Sequence, residues 1–399
     1  MHLFAEATTK FTLELYWQLK ESEDNIFYSP LSIMTALGML QLGAKGNTEQ
    51  QIEKVLQFNK TNKKTTEKSA DCHLLNPWTP FLTMKEEENV HEQFQKLMTQ
   101  LNKSNDVYNL KAANSIYGAK AFQFLQTFLE DIKEYYKANV ESLDFAHAAE
   151  ESEKKINSWV ERQTNGKIKD LFPSGSLSSS TILVLVNAVY FKGQWNQQFD
   201  EKHTTEEKFW LNKNTSKPVQ MMKQKNKFNF IFLEDVQAKI VEIPYKGSEL
   251  SMYVLLPMGI DGLKKLEEKL TADKLLEWTS RQNMHRVEMY LSLPRFKVEE
   301  KYELPGPLKH MGMVDAFSPQ KADFSGMSST PGLLVSKVLH KSFVEVNEEG
   351  TEAAAATGVE VSLTSMQMTE DFRCDHPFLF LIKECNTNMI LFFGRMSSP

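Results

Sequence analysis

Residues 348–365 read EEGTEAAAATGVEVSLTS, and the fold depends on whether they form a helix, a strand or a loop. In an extended chain Thr351, Ala353, Ala355, Thr357, Val359 and Val361 share one face. Glu352, Ala354, Ala356, Gly358, Glu360 and Ser362 share the other. The first face carries no charge and nothing bulky. Propensity alone favours a short helix over TEAAAAT with Thr351 as its N-cap. The flanks weigh against it: FVEVNEEG, residues 343–350, alternates like a strand that stops at Gly350, and VEVSLT after it is rich in β-branched residues. The segment therefore reads as strand, hinge and loop. A loop that a sheet would also accept suits a protein with two stable forms.

Outward from this stretch, helical patterns dominate the first half, at Thr8–Leu19, Pro30–Leu42, Thr48–Val55, FLQTFLEDIKEYYK and ESEKKINSWVERQ. Strand patterns dominate the second, including KIVEIPYKG, LSMYVLLP, LLVSKVLHKSFVEVN, HPFLFLIKE and NMILFFGR; TILVLVNAVYFKG precedes them. Helices first and sheets later predict an α+β fold. No Pro/Gly/Ser-rich linker divides the 399 residues, so 1–399 is read as one domain. Residues 59–90 are polar, charged and without periodicity, and are expected to be a long mobile surface loop inserted in it.

The composition is that of a globular chain, with 41% hydrophobic residues, 25% charged residues and 26 Phe. A net charge of −6 offers no general attraction to nucleic acid. The N-terminal MHLFAEATTKFTLELYWQLK is interrupted by charges, which argues for an amphipathic helix and against a signal peptide, and the apolar runs are too short to span a bilayer. Cys72, Cys374 and Cys385 have no metal-ligand spacing and are odd in number, which fits a reducing, cytoplasmic setting. The sequons at Asn59, Asn102 and Asn214 are then expected to be unused. There is no G-x-S-x-G, H-E-x-x-H, P-loop or G-x-G-x-x-G, so an enzyme is not expected and neither is a cofactor or metal.

Eight motifs in order resemble the serpin superfamily over nearly the whole chain. They are NIFYSPLSI (25–33), LGAKGNTEQQI (42–52), ANSIYG (113–118), INSWVERQTNGKI (156–168), LVNAVYFKGQW (185–195), LSLPRFKVE (291–299), HKSFVEVNEEGTEAAAAT (340–357) and HPFLFLI with ILFFGR at the end. Within the family the chain is similar to the intracellular ovalbumin-like clade, clade B, and most similar to the squamous cell carcinoma antigen serpins.

The resemblance implies a serpin fold of about nine helices around three β-sheets, with a hinge and reactive-centre loop over 348–370. It implies an irreversible suicide inhibitor of proteases, acting by loop cleavage and insertion into the main sheet. The hinge would be Glu348, Glu349, Gly350, Thr351, Glu352, Ala353, Ala354, Ala355 and Ala356, with the acidic pair Glu348 and Glu349 in water. The family's loop length puts the reactive bond at Thr364–Ser365, with Leu363 and Met366 setting specificity. Neither side is basic, which disfavours trypsin-like targets. Leu363, Met366 and Met368 offer sites to chymotrypsin-like or elastase-like serine proteases, and Leu363 immediately before Thr364 also suits papain-like cysteine cathepsins. Ser29, Ser32, Asn187 and His340 match the family's shutter, a hydrogen-bonded cluster beneath the main sheet; Trp195 and Thr204 match the breach, where insertion starts. A monomer without nucleic-acid or membrane partners is expected, located in the cytoplasm, or in the nucleus or outside after non-classical release. The rival is a non-inhibitory binding or storage serpin. One departure is Pro305-Gly306-Pro307, where the family usually continues a helix, and a shortened or kinked helix is expected there.

Overall fold

The sequence SPLSIMTALGMLQLG explains the centre of the molecule. Ser29 caps the helix Pro30–Gly43 by accepting from the Ser32 amide, Pro30 occupies the first turn, and all the helical residues except Leu42 are buried. A helix apolar on every side must be surrounded, and this one packs between the helix His2–Leu19 and strands of two sheets. The computed structural model describes residues 2–58, 89–101, 108–350 and 369–399. Nine α-helices lie among the described residues. The expected inserted loop falls outside them except for its last two positions, 89 and 90. No helix of the described residues is long and apolar enough to cross a membrane.

The strands in chain order are β1 (Ile26–Tyr28), β2 (Tyr108–Ala119), β3 (Asn139–Leu143), β4 (Leu183–Gly193), β5 (Thr205–Asn212), β6 (Thr215–Leu233) and β7 (Ala238–Pro244). They continue with β8 (Leu250–Pro257), β9 (His285–Pro294), β10 (Phe296–Glu303), β11 (Val335–Val346), β12 (Glu370–Arg373), β13 (Phe378–Glu384) and β14 (Ile390–Met396). One sheet has the order β10-β11-β4-β2-β3. The other nine strands follow the path β1-β14-β13-β8-β7-β6-β9-β12, with β5 on the flank of β6. The 19-residue strand β6 pairs with β5 at its start, β9 in its middle and β7 at its end. It thereby joins what the family resemblance treats as a second and a third sheet.

The five-stranded sheet has one feature that bears on function. β11 and β4 are parallel, from Val335 opposite Leu183 to Val344 opposite Phe191, while β10 and β2 flank them antiparallel. β4 is buried on both faces: Leu183, Leu185, Val189 and Phe191 join the main core, and Val184, Val186, Ala188 and Tyr190 join a second cluster under the helix Ala149–Gln163. Its unbroken apolar run LVLVNAVYF follows from that double burial.

The segment FLQTFLEDIKEYYK is helical from Gln126 to Asp131, continues as a π-turn over Ile132–Tyr136, and stops where Lys137 turns left-handed. The Pro-Gly-Pro segment gives a helix of only six residues, Pro305–His310, with both prolines in the first turn, where a missing N–H is tolerated.

Candidate functional site: hinge and polar row in the main sheet

β4 and β11 finish side by side, and the chain leaving β11 turns over their ends. Gly350 makes the turn at φ +101°, and its N–H donates to Asn347 O at 3.2 Å. A Cβ at this position would lie 2.4 Å from both Gly193 O and Trp195 N, so the closeness of the strand ends and the backbone angle each require glycine.

The residues expected to form the hinge are fastened to the segment that follows β4. Trp195 N donates to Glu349 O at 3.0 Å, Phe199 N to Glu348 O at 2.8 Å, and Trp195 Nε1 to Asn347 O at 2.9 Å. The Trp195 ring is 2% exposed and stacks on Tyr245 at 4.6 Å between centroids. Thr204 Oγ1 donates to Glu348 Oε1 at 2.6 Å. Trp195 and Thr204, assigned together on the family pattern, therefore both touch the hinge.

Glu348 departs from expectation. It is not in water but 2% exposed, and Arg295 donates to it twice, from Nη2 at 2.6 Å and from Nε at 3.1 Å. Burial opposes the charged form, but the hydrogen bonds from Arg295 and Thr204 outweigh it and hold the carboxyl below its ordinary range. A forked guanidinium explains how a carboxylate can be buried where sequence pattern places it at the surface. Glu349 is half-buried.

A second polar cluster crosses the sheet lower down. Asn114 on β2, Asn187 on β4 and His340 on β11 are direct cross-strand neighbours. His340 Nε2 accepts from the Ser29 amide at 3.1 Å, which leaves Nδ1 to carry the proton and donate to Asn187 Oδ1. Asn187 Nδ2 donates to Ser32 Oγ at 2.6 Å and to Asn114 Oδ1. Ser29 Oγ donates to Leu391 O at 2.6 Å, which ties β14 into the network. His340 has no exposed surface, and burial pushes its pKa from 6.5 down to about 3, so the ring is neutral at physiological pH.

The structure thus gathers Ser29, Ser32, Asn187 and His340 into one network and brings Trp195, Thr204, Glu348, Glu349 and Gly350 together above it. Thr351, Glu352, Ala353, Ala354, Ala355, Ala356, Leu363, Thr364, Ser365, Met366 and Met368 lie outside the described residues. Sequence reasoning missed Arg295, Asn114 and Tyr245. Arg295 and Asn114 sit inside the motifs LSLPRFKVE and ANSIYG, but only the three-dimensional pairing gives them partners. No group of His, Cys, Asp and Glu among the described residues could hold a metal ion.

Residues 6–399 match the family model described as Serpin (serine protease inhibitor). The chain belongs to the serpin family. It is 59% identical to human Serpin B4 over 100% of both chains, and 45% identical to human leukocyte elastase inhibitor with the same coverage. Among solved structures, uncleaved ovalbumin superposes with a TM-score of 0.85 at 37% identity, covering 99% of this chain and 100% of that one. These likenesses place the chain in the ovalbumin-like clade B, with the squamous cell carcinoma antigen serpins among its relatives. Serpins of this kind inhibit proteases and are not themselves catalysts.

Proposed function

We propose that this serpin is an irreversible suicide-substrate inhibitor whose cleaved loop enters the five-stranded sheet between β4 and β11. The observation that carries this reading is the parallel pairing of those two strands beneath a hinge anchored at their common end. A strand that doubles back from the end of β11 runs antiparallel to β11, and therefore antiparallel to β4. Its entry exchanges one parallel ladder for two antiparallel ones, the more stable kind per residue. About a dozen additional backbone pairings at roughly 1 kcal/mol each give a driving force on the order of 10 kcal/mol. The intact form is accordingly held by a kinetic barrier.

In this reading a protease attacks the bond Thr364–Ser365 and becomes acylated. The released segment from Thr351 onward inserts, carrying the protease along before water completes the reaction. The face Thr351, Ala353, Ala355, Thr357, Val359 and Val361 has nothing to obstruct burial. Leu363 one residue before the bond fits papain-like cysteine cathepsins first, and chymotrypsin-like or elastase-like serine proteases second. The name of the 45%-identical leukocyte elastase inhibitor supports the serine-protease class. A monomer acting in the cytoplasm is part of the same proposal.

The test is incubation with a papain-like cathepsin and, separately, a chymotrypsin-like protease, followed by denaturing electrophoresis and sequencing of the released fragment. Stoichiometric loss of protease activity with a fragment beginning at or next to Ser365 is the expected result. Rapid loop cleavage that leaves the protease active would instead make this a non-inhibitory serpin.

A further inference from the structure

Beside the hinge, a cavity of about 310 Å³ opens between β6, β7, the start of β9 and residues Asn196 and Gln197. Its wall holds three cations, Lys227, Arg281 and Arg286, and one carboxylate, Glu242. Glu242 has no exposed surface and is fully engaged: it accepts from Arg281 Nε at 2.8 Å, from Ser251 Oγ at 2.7 Å and from Asn229 Nδ2 at 2.7 Å. The carboxylate neutralises Arg281 and fixes its orientation, and it does nothing for the other two cations.

The strand register brings those two together. Arg286 is paired with Asn229, and Lys227 lies two residues before Asn229, so the cations are diagonal neighbours on one sheet face. Glu288, opposite Lys227, is in an ion pair with Lys225 at 3.4 Å. Among the described residues the side chains of Lys227 and Arg286 have no hydrogen-bond or ion-pair partner. Like charges in these positions repel, and a concave wall concentrates the field, although the chain as a whole carries −6. Such a local conflict, left unrelieved by the fold, marks a place where a ligand relieves it.

We propose that this cavity binds a small doubly charged oxyanion of the phosphomonoester kind. The unpartnered Arg286 guanidinium and Lys227 ammonium match phosphate oxygens in charge and as donors, Arg281 being already neutralised by Glu242, and a volume at the lower end of the range for ligand sites suits a small molecule. The site also reaches the hinge. Asn196 N donates to Pro244 O at 2.9 Å, and Asn196 and Gln197 lie between Trp195 and Phe199, the two residues whose amides hold Glu349 and Glu348. An anion bridging this segment to β6 and β9 stiffens the hinge anchorage and favours the form with the loop outside the sheet. This coupling rests on the hinge reading above, whereas the binding itself does not.

The test uses inorganic phosphate, titrated at constant ionic strength against the intact protein and against the double variant Lys227→Gln/Arg286→Gln, with hydrogen exchange followed at the Trp195 and Phe199 amides. Both substituted side chains are exposed, so the variant is expected to fold. The expected result is saturable binding, weaker by about tenfold or more in the variant, with slower exchange at both amides only in the unsubstituted protein. Equal binding by the two proteins, or none that saturates, would overturn the site. Saturable binding without added protection of the amides would overturn the link to the hinge.

Discussion

At the scale of single residues, His340 and Gly350 give the sharpest expectations. Burial depresses the His340 pKa to about 3 and that of His91 to about 4. Below pH 6.5 the unfolded chain takes up protons that the folded histidines refuse, so stability is complete above that pH and falls as the pH drops toward 3. At pH 5 each histidine accounts for a loss of about 2 kcal/mol. His340→Gln should therefore lose about 2 kcal/mol less than the unsubstituted protein between pH 7 and pH 5, as measured by denaturant unfolding at the two pH values. An identical loss would mean that the ring is not held neutral. Gly350→Ala meets backbone on two sides and an unfavourable φ, and should destabilise the intact form by about 1–3 kcal/mol. A lowered thermal midpoint is the readout. At Glu348 the place just beyond a strand could be read from sequence, but its burial could not, because Arg295 lies 53 positions away.

At the scale of elements, the proposed loop-to-strand conversion would depend on its first inserted residue. Replacing Thr351 with Arg would bury an unpaired charge, and replacing it with Pro would remove a ladder hydrogen bond; each should turn inhibitor into substrate. Partition between stable protease complex and cleaved free serpin measures this directly. The polar row across β2, β4 and β11 predicts a different defect. Asn114→Ala removes the acceptor for Asn187 and should cost about 1–3 kcal/mol, read as a lower unfolding midpoint and faster polymerisation on heating. The strands buried on both faces were legible from continuous apolar runs, as in β4, β8 and β13. β6 was not, because VQMMKQKNKFNF presents polar residues along an exposed face and has no clean period of two. β2 escaped because its half-buried beginning, YNLKA, mixes polar and apolar residues, although its end was recognised as a motif.

At the scale of the whole molecule, the proposed mechanism requires the sheet to store a better arrangement than the one it has. A parallel pair at its centre, polar ties beneath it and the turn at Gly350 fastened over its open end are the features on which that proposal rests. The family could be read from ordered motifs alone because most of them span a junction such as a cap, a strand end or a turn, where few residue types fit. The interlocking of those junctions needed coordinates. The most direct test of the central claim is the thermal unfolding of the protein before and after a single cut in the reactive loop. Insertion between β4 and β11 predicts that the cut protein unfolds higher by on the order of 10 °C or more. An unchanged or lower midpoint after complete cleavage would contradict it.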